Sequence, residues 1–447
     1  MFRKHLTLVA LIAFALILPG TAMAIGTFLE PDVDVVHTHG GDPADNYGWV
    51  GAALGDLDSD SVPDYAVTAI TDAEGGTLAG KAYIYSGADG STLDTVKGRP
   101  GELLGYSMDT AGDVDGDGTP DYVIGAPGLG PVTPDAFGRA IVVSGEDHTV
   151  IREFAADTQT RLGTAVAGVG DVDGDGHDDI VIGSENASAS NDHAGRATLY
   201  SGADSHEIWT IDGPHAWDLL GSAADGVGDV NGDGVLDVVV GAYGATGRSG
   251  GSANSSGRGL AFVLSGVDGE ILHTLRPRAD AVNFARFFAR GAGDYDRDGV
   301  GDIFIGDYGA GRGIGGRVGH PEDLSSPPVN GTGAAYVFSG ATGRELLFIE
   351  GAVFGEGLGP GRGIGDVDGD GTPDLLVGAY TSSEGAVAGG IARVYSGADG
   401  SIIRTVTSTT PFEFLGVDAL GVGDVTDDGL GDYLLTGFGT AYVVAGS

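Results

Sequence analysis

The apolar residues of this chain come in short runs, not in helical stripes. "DYVIGAP" (121–127), "DIVIG" (179–183), "DVVVG" (237–241), "DIFIG" (302–306) and "DLLVG" (374–378) are rich in β-branched side chains and close on glycine. Runs of that length between turn residues predict buried β-strands. A second kind of run ends in Ser-Gly and a tight turn: "GKAYIYSGADG" (80–90), "GRAIVVSGEDH" (138–148), "GRATLYSGADS" (195–205), "GLAFVLSGVDG" (259–269), "GAAYVFSGATG" (333–343) and "GIARVYSGADG" (390–400). Further strand-like segments such as "STLDTV" and "SIIRTV" follow, so each reads as a hairpin. Beyond the N-terminal segment no stretch sustains an apolar period of 3.6, which predicts an all-β chain with little helix.

An acidic line such as "GDVDGDGTPDYVIGAP" (112–127) opens every first-type run, and it recurs. Its copies begin at Asp56, Asp113, Asp171, Asp229, Asp294, Asp366 and Asp424, at intervals of 57, 58, 58, 65, 72 and 58 residues. One unit of about 58 residues therefore repeats seven times, and the two longer intervals carry Gly- and Ser-rich insertions. Strand one of a unit is expected to end at the Leu-Gly or Tyr-Gly eight residues before the first Asp, at Gly48, Gly105, Gly163, Gly221 and Gly416. Strand two follows the acidic loop, and strands three and four form the hairpin. Seven four-stranded antiparallel units predict a seven-bladed β-propeller, whereas a linear solenoid would need distinct capping repeats. The seventh unit stops after its third strand, "GTAYVVAGS" (439–447), while "DVDVVHTH" (32–39) precedes the first unit unclaimed. The expectation is that this N-terminal strand closes the last blade, with Val36 alongside 442–444, so that no sheet edge stays open.

The N-terminus reads differently. Arg3 and Lys4 precede 13 apolar residues (6–18), and Ala22-Met23-Ala24 makes a small-x-small cleavage site. That pattern predicts a signal peptide over 1–24 and a propeller over 25–447, with the apolar run too short to span a bilayer. The expected location is secreted, periplasmic or cell-surface. Acidic residues outnumber basic ones 64 to 22, a net charge of −42 that opposes nucleic acid and anionic membrane as partners. The chain has no cysteine, so an exported fold takes its rigidity from something other than disulfides.

The acidic line supplies a candidate. The spacing D-x-D-x-D-G-x-x-D sets carboxylates at positions 1, 3, 5 and 9 with a turn glycine at 6, like the front of an EF-hand loop, whose hard oxygen ligands suit Ca²⁺ better than Mg²⁺ or zinc. The predicted ligands are Asp56, Asp58, Asp60 and Asp64; Asp113, Asp115, Asp117 and Asp121; Asp171, Asp173, Asp175 and Asp179; and Asp229, Asn231, Asp233 and Asp237. Asp294, Asp296, Asp298 and Asp302; Asp366, Asp368, Asp370 and Asp374; and Asp424, Thr426, Asp428 and Asp432 complete the set. Ser61 replaces the turn glycine in the first loop, and Arg297 interrupts the fifth. A solvated acidic turn is the plain alternative for one copy, but not for seven in register. Up to seven Ca²⁺, one per blade, would bring the formal charge to about −28.

With these residues in view, "LGYSMDTAGDVDGDGTPDYVIGAP" (104–127) resembles the FG-GAP repeat of the integrin α-subunit N-terminal propeller. The second glycine of that pattern recurs at Gly183, Gly241, Gly306 and Gly378, with departures at Thr68 and Thr436. Arg286 stands where unit five should have the first glycine, and unit six places Phe354-Gly355 too early. The resemblance implies Ca²⁺ loops on one face and ligands on the other, where the strand 2–3 and 4–1 connections lie.

No histidine sits in a nucleophile or zincin motif, the three tryptophans form no repeated ladder, and "GRGIGG" (311–316) lies in an insertion with no helix after it. Two insertions, 242–259 and 307–333, fall between strands two and three and gather Arg248, Arg258, Arg312, Arg317 and His320. Arg286 and Arg290 are expected to join them near the central channel, making a site for an anionic ligand, an acidic glycan or a protein carboxylate. The function read from the sequence is a secreted, calcium-binding, non-catalytic interaction or adhesion module with an extracellular protein or glycan partner. The alternative is a secreted hydrolase or polysaccharide lyase, which Tyr, Arg and His converging in the central funnel would favour.

Overall fold

The runs that follow the acidic loops form strands buried on both faces. Asp64–Ala69, Asp121–Ala126, Asp179–Ser184, Asp237–Ala242, Asp302–Asp307, Asp374–Ala379 and Asp432–Gly437 have every residue buried. Such a strand needs apolar side chains at successive positions, and these sequences supply them. The computed structural model describes residues 27–128, 137–187, 192–245, 258–310 and 331–446. Across these, 28 strands form seven four-stranded sheets, and the only helical element among the described residues is the 3-10 turn Pro43–Asp45. The predicted signal peptide lies outside the described residues.

Strand one of each sheet touches strand one of the next all the way round, so the sheets are blades of a closed propeller with strand one innermost. The core is correspondingly distributed. Each of seven clusters of buried side chains is built from two consecutive blades, and one of them joins blade seven (Leu420, Leu434, Val443) to blade one (Tyr47, Tyr65, Val67). Every fully buried Val, Leu or Phe there contributes about 1.5–3 kcal/mol, so the blades stabilise one another rather than themselves. Strand four is the outer edge and is half-buried to exposed along its length, as in Thr92–Lys97 and Glu345–Glu350.

The repeated glycines are the contact between blades. A Cβ on Gly183 would lie 2.1 Å from the carbonyl oxygen of Gly221 in the next blade, and Gly378 faces Gly416 in the same way. Gly221 itself has φ +86, a conformation that glycine adopts without a steric cost. These glycines open strand one; they do not end it, contrary to the sequence expectation. Leu220–Gly228 starts at the Leu-Gly pair and ends at the glycine before the acidic loop. Two assignments shift for the same reason. Leu358 makes the parallel bridge to Gly333 that Leu104, Leu162, Leu220 and Leu415 make to Gly80, Gly138, Gly195 and Gly390, so blade six uses Leu358-Gly359 and not Phe354-Gly355. In blade five Ala285, at φ +57, takes the glycine position with its carbonyl against Gly241; Arg286 is one residue further on.

The ring closes as expected. Val35–Gly40 pairs antiparallel with Thr440–Val444, matching Thr38 to Tyr442 and His37 to Val443. Val36 sits in the register shift between Val35 and His37. The preceding segment laces onto blade six, where the Glu30 carboxylate accepts both the amide and the hydroxyl of Thr407 at 2.8 Å.

Candidate metal loops and the opposite face

All seven acidic loops fold alike, because three of their carboxylates organise the backbone. The position-one Asp accepts the amide of position six at 2.8–3.0 Å, as Asp171 does from Gly176. The position-five Asp accepts the amide of position seven at 2.7–3.0 Å. The position-nine Asp lies beneath the loop, at most 1% exposed. One of its oxygens takes the amide of position two at 2.7–2.9 Å. The other takes the glycine amide of the Ser-Gly pair (for blade seven, Gly446) at 2.8–3.0 Å. The acidic loop and the hairpin are thus bolted together by one side chain, which is why the two motifs recur as a pair.

Of the four predicted ligands per loop, the structure brings three together. Oxygens of positions one, three and nine lie within 4.8 Å of one another in Asp56–Asp58–Asp64, Asp113–Asp115–Asp121, Asp171–Asp173–Asp179, Asp294–Asp296–Asp302 and Asp366–Asp368–Asp374. The position-five carboxylate stands outside these groups, turned to the amide of position seven. The loops with Asn231 and Thr426 keep the same backbone bonds but have no carboxylate at position three. Arg297 (φ +62) does not enter its own loop; it reaches the sixth, 3.6 Å from Asp370 and hydrogen-bonded to the Thr372 hydroxyl. Ser61 adopts φ +73 where the other loops have glycine.

Burial raises the pKa of Asp64, Asp121, Asp179 and Asp302 to about 6, against the pull of the amides they accept. Asp58, Asp115 and Asp173 are also raised, first by desolvation and then by the neighbouring Asp of the same loop. A group of carboxylates that resists ionisation and offers only oxygen donors fits a hard divalent cation.

The opposite face is built from the far ends of strands one and two. There Trp49, Tyr106, Phe287, Tyr308 and Tyr380, from blades one, two, five and six, form one aromatic cluster, with centroids 5.8 Å apart for Trp49–Tyr106, 6.2 Å for Tyr106–Phe287, and 6.3 Å for Trp49–Phe287, Phe287–Tyr308 and Tyr308–Tyr380. Sequence reading missed this cluster. A usable signal was present, since Tyr243, Tyr308 and Tyr380 each follow the Gly-Ala or Gly-Asp that ends strand two.

Arg286 lies among these rings, 5% exposed, 4.7 Å from the Tyr243 centroid and 5.2 Å from that of Phe287. It donates to the Tyr308 hydroxyl at 3.3 Å. Arg290 is half-buried and neutralised internally, reaching from blade five to Asp109 of blade two at 3.1 Å and to the Ala224 carbonyl. Arg362 pairs similarly with Asp418 at 3.1 Å. Between them Asp225, accepting the Gly291 amide at 2.9 Å, has its pKa raised to about 6 by burial despite Arg290, with Asp109 adding to the rise. Arg258 is exposed. Arg248, Arg312, Arg317 and His320 lie outside the described residues.

Comparison with known proteins agrees with this architecture. The FG-GAP repeat family matches residues 162–200, 221–260 and 363–395. The chain is 32% identical to integrin alpha-PS2 of Drosophila melanogaster over 188 residues, covering 39% of this chain and 12% of that protein. It is 25% identical to integrin alpha-8 of Gallus gallus over 226 residues (47% and 20%) and 29% identical to human integrin alpha-IIb over 225 residues (46% and 20%). The chain therefore spans a fifth or less of the length of these relatives. No helix among the described residues is long and apolar enough to cross a membrane.

Proposed function

We propose that this chain is an exported, calcium-loaded interaction module: a propeller stiffened by Ca²⁺ on one face that binds an extracellular protein or glycan on the other. The observation that carries the calcium reading is the convergence of three carboxylates in each of five loops. Positions one, three and nine would hold the ion, with the position-three Asn231 and Thr426 offering neutral oxygens in the other two loops. Bound Ca²⁺ supplies charge neutralisation and a cross-link between strand one and strand two. The chain's own residues do the rest, position nine joining loop to hairpin and positions one and five setting the turn. The integrin relatives and the aromatic face support binding over catalysis. Tyr243 and Tyr308, the phenols nearest Arg286, are both raised by burial, which makes them poor bases at neutral pH. The predicted export signal (1–24) assigns the module to the secreted, periplasmic or cell-surface space.

Metal analysis and calorimetric titration of the mature chain test the first half of this reading. Five to seven Ca²⁺ per chain and a melting temperature lowered by chelation are expected. A chain that melts identically after EGTA dialysis and carries no ion refutes it. Screening glycan and surface-protein arrays with and without chelator tests the second half.

A further inference from the structure

Of the three buried arginines among the described residues, two are paired with acids. Arg139 meets Glu102 at 2.6 Å and Arg161 meets Glu185 at 2.7 Å, and the half-buried Arg290 and Arg362 in the channel each meet an Asp at 3.1 Å. Arg286 has no ion pair among the described residues, in a chain with 64 acidic side chains. Its hydrogen bond to Tyr308 uses one of five N–H donors, and the ring faces of Tyr243 and Phe287 offset only part of the desolvation of a cation. Glu185, the acid that also acts on it electrostatically, already holds Arg161. The guanidinium therefore keeps its fork for a group from outside.

We propose that Arg286 anchors a single carboxylate of the ligand within the aromatic cluster, beside Tyr243, Phe287 and Tyr308. This deepens the binding-module reading and rests on it only for the choice of face. A guanidinium fork suits a planar, two-oxygen anion, and the surrounding Tyr243, Phe287 and Tyr308 suit an apolar or ring-bearing neighbour. The net charge of −42 repels a polyanion, so the carboxylate belongs to a partner that is otherwise neutral or basic: a protein surface presenting one Asp or Glu, not an acidic polysaccharide. A cation from the partner finds the position already taken.

Benzoate is the probe, with benzylamine and benzyl alcohol as controls, titrated calorimetrically into the calcium-loaded full chain at constant ionic strength. One benzoate per chain is expected. Binding should weaken about tenfold or more in Arg286→Gln and less in Arg286→Lys. Without ligand, Arg286→Gln should melt no lower than the parent, because it removes an unpaired buried charge; a structural arginine would lower the melting temperature instead. Absence of saturable benzoate binding, equal affinity in Arg286→Gln, equal binding of benzylamine, or a destabilised Arg286→Gln each overturns the proposal. A polyuronate that binds more tightly than benzoate in the same calorimetric titration overturns the choice of a protein partner. Calcium stoichiometry and partner capture are read separately, so failure here leaves the module reading standing, and the reverse.

Discussion

The position-nine carboxylate separates the loop's own architecture from anything a cation adds. Asp179 is fully buried and takes the amides of Val172 at 2.7 Å and Gly202 at 3.0 Å, one on each oxygen. Asp179→Ala leaves both donors buried without a partner. At about 1–3 kcal/mol per stranded group, the expected loss is roughly 2–6 kcal/mol, less what is recovered by removing a carboxylate that burial already disfavours. Asp179→Asn keeps one acceptor and should lose about half as much. Asp173→Ala is the contrast. Its carboxylate accepts one amide, that of Asp175 at 3.1 Å, and has a distant 3.8 Å contact with the exposed His206, so without metal Asp173→Ala should change stability by less than about 1 kcal/mol. With calcium it should forfeit most of the increment contributed by that loop. Thermal unfolding followed by circular dichroism, in EGTA and in millimolar Ca²⁺, reads all three. If Asp179→Ala melts with the parent in EGTA, the loop-to-hairpin bolt is not what stabilises the blade.

Other outcomes follow from the same structure. Asp64, Asp121, Asp179 and Asp302 titrate near 6 when folded against an ordinary 3.8, so between those values the folded chain binds more protons than the unfolded one. The stability of the metal-free chain should then fall as pH rises from about 4 to above 6, while the calcium increment grows over the same window. A metal-free melting temperature that climbs through that window contradicts the assignment. Ser61→Gly relieves a left-handed residue and should stabilise the chain by about 1 kcal/mol, seen as a higher denaturant midpoint. Deleting 31–39 removes the strand paired with Thr440–Val444 and should lower the melting temperature by several degrees and promote association through the opened edge, measurable by light scattering. An unchanged, monodisperse deletion variant would show that closure does not depend on that strand.

Much of this protein is written locally, and so it could be read from the chain. A buried strand, a turn glycine and a carboxylate triplet each depend on a few adjacent residues, and seven copies in register make the blade, its acidic loop and the ring legible. Even the closure follows, because a missing fourth strand at one end and a spare strand at the other are local facts. What the sequence could not decide depends on contacts between blades. The glycine in front of strand one matters because it meets a carbonyl of the neighbouring blade, so its register in blades five and six, at Ala285 and Gly359, appears only once the blades pack. The pairing of Arg290 with Asp109 spans 181 residues of chain. The aromatic cluster collects one or two side chains from each of four blades, and which of them meet depends on how the blades pack. Arg286 could be flagged as an unusual cation from its position in the sequence, but whether it was paired, exposed or caged depended on which strangers in the chain the propeller brought to the axis.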